Sequence, residues 1–242
     1  GRLGLVRLPQ YPVYVVSKGR SDCFLTARFL REDGVPHRIV VEPQEAEAYA
    51  ATCGEGNLLV LPFSDLGLGS IPARNWTWEH ALGASAERHW VLDDNIRDLR
   101  RWYRGKRIRC PAGAALAVAE DFTDRYENVA VSGLNYTMFA ICGQPPFVRN
   151  VHVYSCILVL NSLPYRWRGR YNEDTDLCLQ VLAGGWCTIL LNAFLATKTA
   201  TMRMKGGNAV ELYQGDGRLK MARSLERAWP GVSTTVRRFR RP

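Results

Sequence analysis

Residues 69–95 read GSIPARNWTWEHALGASAERHWVLDDN. Gly69 closes a glycine-rich turn begun at Gly67, Ser70 and Pro72 suit the start of a helix, and the run that follows carries that helix to about Ala86. His89 to Leu92 then reads as a strand, and it stops in Asp93, Asp94 and Asn95. Acids at the carboxyl end of a strand point to an open α/β sheet, because that edge faces the crevice where such sheets bind ligands.

The residues upstream repeat the pattern. Pro12 to Val16 is a short β-branched and aromatic run that ends in the polar loop Ser17, Lys18, Gly19, Arg20, and the stretch from Asp22 to Arg31 places Phe24, Ala27 and Leu30 at helical spacing. Arg38 to Val41 reads as a second strand, Gln44 to Ala51 as a short helix, and Asn57 to Phe63 as a strand apolar enough to be covered on both faces. Strand and helix alternate as in a parallel sheet. Downstream the order is more antiparallel: a helix over Ala112 to Tyr126, then strands over Val129 to Ser132, Thr137 to Cys142 and His152 to Leu160. A helix capped by Asn172, a strand over Trp186 to Leu191 and a last helix over about Asp216 to Trp229 complete the reading. The expected fold is α/β, one Rossmann-like domain over 1–242 with a mixed, mostly parallel sheet flanked by helices. It divides into two halves, 12–95 and 96–242, the second ending in a basic tail.

Composition narrows the classes. The chain has 242 residues, 47% of them hydrophobic, which is enough for one sizeable core. Its seven cysteines never form a CxxC pair, so neither a zinc knuckle nor a disulfide framework is expected. The first residues lack the pattern of a signal peptide and no long apolar run follows, so a soluble cytoplasmic protein with no membrane partner is expected, while a chain opening on Gly1 leaves flanking domains open. Thirty-two Lys and Arg against 23 Asp and Glu give a net charge of +9, which favours acidic partners, nucleic acid among them.

Three groups of residues carry candidate chemistry. Asp93, Asp94 and Asn95 offer oxygen ligands for Mg²⁺ or Mn²⁺ against a diphosphate; the plainer reading is a solvated turn. Arg74 sits in the first turn of a helix, where its charge opposes the macrodipole, so a fixed anionic partner is expected. Tyr171 to Asp176, YNEDTD, opens a helix with three acids, which suit either proton transfer or simple compensation of the helix dipole.

Together, Ala73-Arg74-Asn75 at a helix start and a strand ending Leu92-Asp93-Asp94 resemble the signature of inverting GT-A glycosyltransferases of the family-2 type. The combination of VYVVSKGR, ARN, HWVLDDN, RYNEDTDL and KGGN is similar to the TET-associated glycosyltransferases encoded by bacteriophages. That resemblance implies transfer of a hexose, glucose as the working choice, from a UDP-sugar to the hydroxymethyl group of 5-hydroxymethylcytosine in DNA, beside a TET-type oxygenase in a phage-infected cell. It implies donor contacts from Ser17, Lys18, Gly19, Arg20, Arg74, Asn75, Asp93 and Lys205. It further implies a divalent metal, Mn²⁺ or Mg²⁺, held by Asp93, Asp94 and Asn95, and Asp174 as general base with Glu173 beside it. Two features depart from the family-2 pattern: Asn95 stands where a third acid is usual, and no later Gln-Arg-x-x-Arg-Trp motif follows. The loop Lys205 to Asn208 either closes over the diphosphate or is a hairpin turn.

Cations interleaved with aromatics suit phosphate contact and base stacking, and they occur twice: Trp102-Tyr103-Arg104 with Lys106, Arg107 and Arg109, and Arg166-Trp167-Arg168 with Arg170. Arg104, Arg107, Arg166, Trp167, Arg168 and Arg170 are the expected DNA contacts. The other readings are a polysaccharide or protein acceptor, a metal-dependent nuclease built on Asp93, Asp94, Glu173, Asp174 and Asp176, and a non-catalytic DNA-binding module.

Overall fold

The computed structural model describes residues 7–23, 25–199 and 217–236. Lys205 with its KGGN segment, and the tail arginines from 237 onward, lie outside the described residues.

The first half alternates strand and helix: β1 (Val13–Val16), α1 (Leu25–Glu32), β2 (Arg38–Val41), α2 (Ala46–Cys53), β3 (Leu58–Val60), α3 (Ile71–Gly83) and β4 (Arg88–Asp93). The second half runs β5 (Ile96–Tyr103), β6 (Lys106–Arg109), α4 (Ala112–Thr123), β7 (Val129–Tyr136), β8 (Phe147–Arg149), β9 (Cys156–Leu160), α5 (Glu173–Ala183), β10 (Cys187–Lys198) and α6 (Gly217–Ala228). All ten strands join one sheet in the order β3-β2-β1-β4-β9-β7-β10-β5-β6, with β8 paired to β10. Seven of the ten point the same way, β5, β8 and β9 being the reversed ones, so the sheet is mixed and mostly parallel, flanked among the described residues by six α-helices.

Strand order decides where a ligand can sit. From β1 the chain winds outward through β2 and β3, then returns across β1 to β4, so the order reverses between β1 and β4. Helices leave the sheet in opposite directions at such a point and open a crevice at the carboxyl ends of the strands. The register places Val16 of β1 opposite Asp93 of β4. Hence Ser17 to Arg20 and Asp93 to Asn95 line that crevice side by side.

Why the chain takes this shape follows from its apolar pattern. Trp90, Val91 and Leu92 are fully buried in the centre of the sheet, with Val13 and Val15 on one side and Ile157 to Val159 on the other. Trp90 also orders a buried carboxylate: its Nε1 donates to Glu120 Oε1 at 2.8 Å, while the amides of Gln10 and Tyr11 donate to the two Glu120 oxygens at 2.8 and 3.3 Å. Glu120→Ala leaves these donors unsatisfied, one of them in the core. The expected cost is about 3 kcal/mol, read as a Tm lowered by roughly 5–10 °C in thermal denaturation.

Three expectations need correcting, and one stretch of sheet was not foreseen. Thr137 to Cys142 is not a strand: after β7 the chain turns, with the amides of Phe139 and Ala140 both donating to Tyr136 O at 3.1 Å, and Met138, Phe139 and Ile141 lie exposed. Ile96 to Arg109, too highly charged to read as sheet, forms the β5–β6 hairpin, its turn made by Arg104 and Gly105 at φ 49° and 74°. The strand expected from His152 begins only at Cys156, because Ser155 takes φ 59°. The strand expected to end at Leu191 continues to Lys198, where it bulges against β5 between Thr197 and Lys198. No helix among the described residues is long and apolar enough to cross a membrane.

Candidate active site

The acidic turn after β4 is held from three directions. Thr26, in the first turn of α1, donates its hydroxyl to Asp93 O at 2.5 Å and accepts from the Ile96 amide at 2.9 Å, while its own amide donates to Asp94 O at 3.1 Å. Asp94 is 4% exposed, and Ser17 Oγ donates to its Oδ2 at 2.7 Å while Arg20 pairs with its Oδ1. Tyr49 of α2 bonds Ser17 Oγ at 2.6 Å and accepts from the Arg20 amide at 3.0 Å, so the loop after β1 is fastened to α2 as well as to β4. Burial raises the Asp94 carboxyl above its ordinary value against the lowering pull of Arg20 and Ser17.

Asp93 faces two cations. Arg74 Nη2 lies 2.9 Å from its Oδ1, and Lys198 Nζ lies 2.6 Å from its Oδ2, which also accepts from Ser155 Oγ at 2.6 Å. Burial acts to raise the carboxyl, but the charges of Lys198 and Arg74 and the bonds from Lys198 and Ser155 outweigh it and hold Asp93 well below the usual carboxylate range. Conversely, burial acts to lower Lys198, yet Asp93 raises it above the ordinary lysine value. The bulge at the end of β10 aims Lys198 into the crevice, a common use of a bulge near a functional site.

Arg74 is the anion-paired arginine that its place in a first helical turn requires. It stands over the Trp167 ring at 4.8 Å, its Nε is 3.2 Å from Ser70 Oγ and 3.8 Å from Glu173 Oε1, and its buried Nη1 has no hydrogen-bond partner among the described residues. Ser70 Oγ donates in turn to Glu173 Oε1 at 2.9 Å. Arg74 therefore couples the acidic turn of β4 to the amino end of α5. Asn172 stands at the N-cap position in the left-handed region at φ 55°, but its side chain makes no capping bond and donates instead to Met221 O at 2.8 Å.

At that end the two acids diverge. Burial raises Glu173, only partly offset by Arg74. Asp174 accepts from the Thr175 amide at 2.8 Å and meets His152 Nε2 at 3.2 Å; although burial acts to raise it, the His152 bond and charge, with Arg74, lower it. Of the two acids, Asp174 is the one whose charged form its surroundings favour.

Other residues singled out in the sequence fall elsewhere. Lys18 pairs with Asp65 at 2.8 Å and Glu42 at 3.1 Å at the rim of a hollow that Phe63, Gly67, Pro72 and Ala73 also line; the Gly19 amide donates to Glu45 at 2.5 Å. Asn75 spends its amide on the Trp167 backbone, donating to its carbonyl at 2.8 Å and accepting from its N–H at 3.0 Å. Trp167, 1% exposed, offers no face to a base. Arg166 pairs with Glu79 and Arg168 forks onto Asp176, so both brace α3 and α5, and Arg170 lies over Tyr171 at 6.0 Å. Arg104 and Arg107 stand on the β5–β6 hairpin, stacked over Tyr103 and Trp102.

A hard dication needs several oxygen ligands. Asp94 has both oxygens engaged in a buried contact, both Asp93 oxygens hold cations, and Asn95 Oδ1 is the turn's remaining buried side-chain oxygen without a partner. Among the described residues the turn thus offers few open oxygens for the divalent metal expected from the sequence, and a dication at Asp93 would compete with Lys198 and Arg74.

Lys198, Ser155, Ser70 and His152 were not foreseen. A lysine closing an apolar strand was the one visible sign of the first; the others depend on partners far away in sequence.

Compared with known protein families, the chain matches the family model described as TET-Associated Glycosyltransferase over residues 11–207. No curated protein matches it significantly.

Proposed function

We propose, on the premise that the chain belongs to the TET-associated glycosyltransferase family, that it transfers a hexose from a nucleoside diphosphate sugar to the hydroxymethyl group of 5-hydroxymethylcytosine in DNA. The observation that carries this reading is the single network in which Arg74 touches both Asp93 at the crevice and Glu173 beside Asp174. It sets a cationic end, suited to a departing diphosphate, next to an ionised carboxylate suited to an attacking alcohol.

In this scheme the nucleoside lies along the β1 and β4 edge, its base toward the hollow near Lys18 and Phe63. Lys198 and the unpartnered Nη1 of Arg74 face the diphosphate. As the acceptor oxygen closes on the anomeric carbon, its proton passes to Asp174, the bond to the diphosphate oxygen breaks on the opposite face, and the configuration inverts. The leaving group departs as a diphosphate anion whose charge Lys198 and Arg74 partly offset, so it requires no general acid. No step passes through a divalent ion. Glucose on UDP is the working donor, and a TET-type oxygenase is the kind of enzyme that supplies the hydroxymethyl group.

The test is to incubate the protein with a panel of nucleotide sugars, with and without Mn²⁺, and DNA bearing either cytosine or 5-hydroxymethylcytosine, followed by mass spectrometry of the nucleosides. A hexose on 5-hydroxymethylcytidine alone is expected. Donor turnover with no sugar on DNA, or sugar on a protein or polysaccharide instead, overturns the acceptor.

A further inference from the structure

Next to the crevice the protein exposes apolar surface that its own fold does not use. Met138, Phe139 and Ile141, in the turn after β7, are 54, 55 and 62% exposed, and Tyr103 at the hairpin tip is 45% exposed. The two segments touch: Arg107 Nη2 donates to Ala140 O at 2.5 Å, and Cys142 Sγ lies 4.0 Å from where a Cβ on Gly105 would stand.

Phe139 is braced rather than loose. Its ring meets Tyr136 at 5.5 Å and Tyr154 edge-on at 6.1 Å; Tyr136 and Tyr154 lie 4.4 Å apart, and Tyr154 meets His152 at 5.0 Å. His152 is the partner of Asp174, and Tyr136 OH is 3.2 Å from Lys198 Nζ. A ladder of rings therefore runs from the exposed Phe139 down to the base and the cation.

Beside it the hairpin carries Arg101, Arg104, Lys106 and Arg107, for which the described residues supply no carboxylate within 4.0 Å. Their neighbours Arg100 and Arg109 are paired, with Asp98 and Asp33. Apolar wedge residues flanked by unpaired cations match one kind of partner, a nucleic acid whose phosphates meet the cations and whose opened base step receives the wedge. A stacked base cannot bring its substituent down a wall of tyrosines to a carboxylate that is itself half-buried.

From this geometry we infer that Phe139, flanked by Met138 and Ile141, enters the duplex at the acceptor step and occupies the place of the extruded cytosine, while the hairpin cations hold the phosphates. This rests on the DNA acceptor proposed above and adds how the base is reached.

The experiment compares wild type, Phe139→Ala and Phe139→Trp on one 5-hydroxymethylcytosine strand, used single or annealed to its complement. Phe139→Ala should lower the ratio of duplex to single-strand kcat/KM by roughly tenfold, since the unstacking that the wedge offsets is absent from the single strand, and Phe139→Trp should restore it. A 2-aminopurine beside the target should brighten with wild type and stay dark with Phe139→Ala. An unchanged ratio, or a wild-type dimer that Phe139→Ala dissociates, overturns the wedge and leaves the acceptor assignment standing. Failure of wild type to modify either DNA while it turns over donor overturns the acceptor reading itself.

Discussion

Asp174→Asn should lower the turnover of sugar transfer by roughly a hundredfold or more, the usual scale for a lost proton acceptor, with donor and DNA affinities near those of wild type. A hydroxymethyl oxygen is too weak an acid to ionise near neutrality, so its attack needs an ionised carboxylate in hydrogen-bond reach. Of the acids in the network, Asp94 is spent on Arg20 and Ser17, Asp93 on two cations, and Glu173 is raised by burial; Asp174 is lowered and lies against a half-exposed histidine. Glu173→Gln should act more weakly, through the placement of Arg74. Single-turnover kinetics and the anomeric configuration of the product decide the matter. Near wild-type transfer by Asp174→Asn, or retention of configuration, removes the assignment.

Lys198→Met should weaken binding of the nucleoside diphosphate about a hundredfold, and a chelator added to wild type should change that affinity little. Both follow from Asp93, whose oxygens already hold Lys198 and Arg74 at 2.6 and 2.9 Å. Removing Lys198 also costs some stability, although Asp93 keeps Arg74 and Ser155, so calorimetry on Lys198→Met belongs beside a melting curve. The chelator experiment on intact protein avoids that complication: a large loss of affinity would return the site to a metal. The sign of the pH effect is fixed. Asp93 is lowered on folding, so its contribution is complete above the unfolded carboxylate value of about 3.9 and fades as pH falls toward the folded one; Lys198 is raised, so its contribution is complete below about 10.4 and fades as pH climbs. Between those limits the pair is insensitive to pH.

The parallel half of the fold was legible because each strand there is a short apolar run bounded by Gly, Pro or acids, but β3, expected to be covered on both faces, lies at the edge of the sheet with Val60 45% exposed. The β5–β6 hairpin was not legible, since its sheet residues include arginines whose guanidinium groups stack on Trp102 and Tyr103. The turn after β7 misled for the opposite reason, its apolar residues facing outward. In the candidate site, Asp93, Asp94, Glu173 and Asp174 could be named from their places at a strand end and a helix start. Whether each is paired could not: Lys198 lies 105 residues from Asp93 and His152 lies 22 from Asp174, and pairing decides which acid is left to take a proton.

Among the described residues the sheet ends at β6, and that position has a consequence for how copies of the protein behave toward one another. An outermost strand leaves backbone donors and acceptors open to pairing with another chain. Lys106, Arg107 and Arg109 occupy three of its four positions, so two such edges approaching each other meet as like charges. The same cations that suit a phosphate backbone thereby guard the protein against edge-to-edge aggregation, and neutralising all three to abolish nucleic-acid contact would expose a ready template for fibrous self-association.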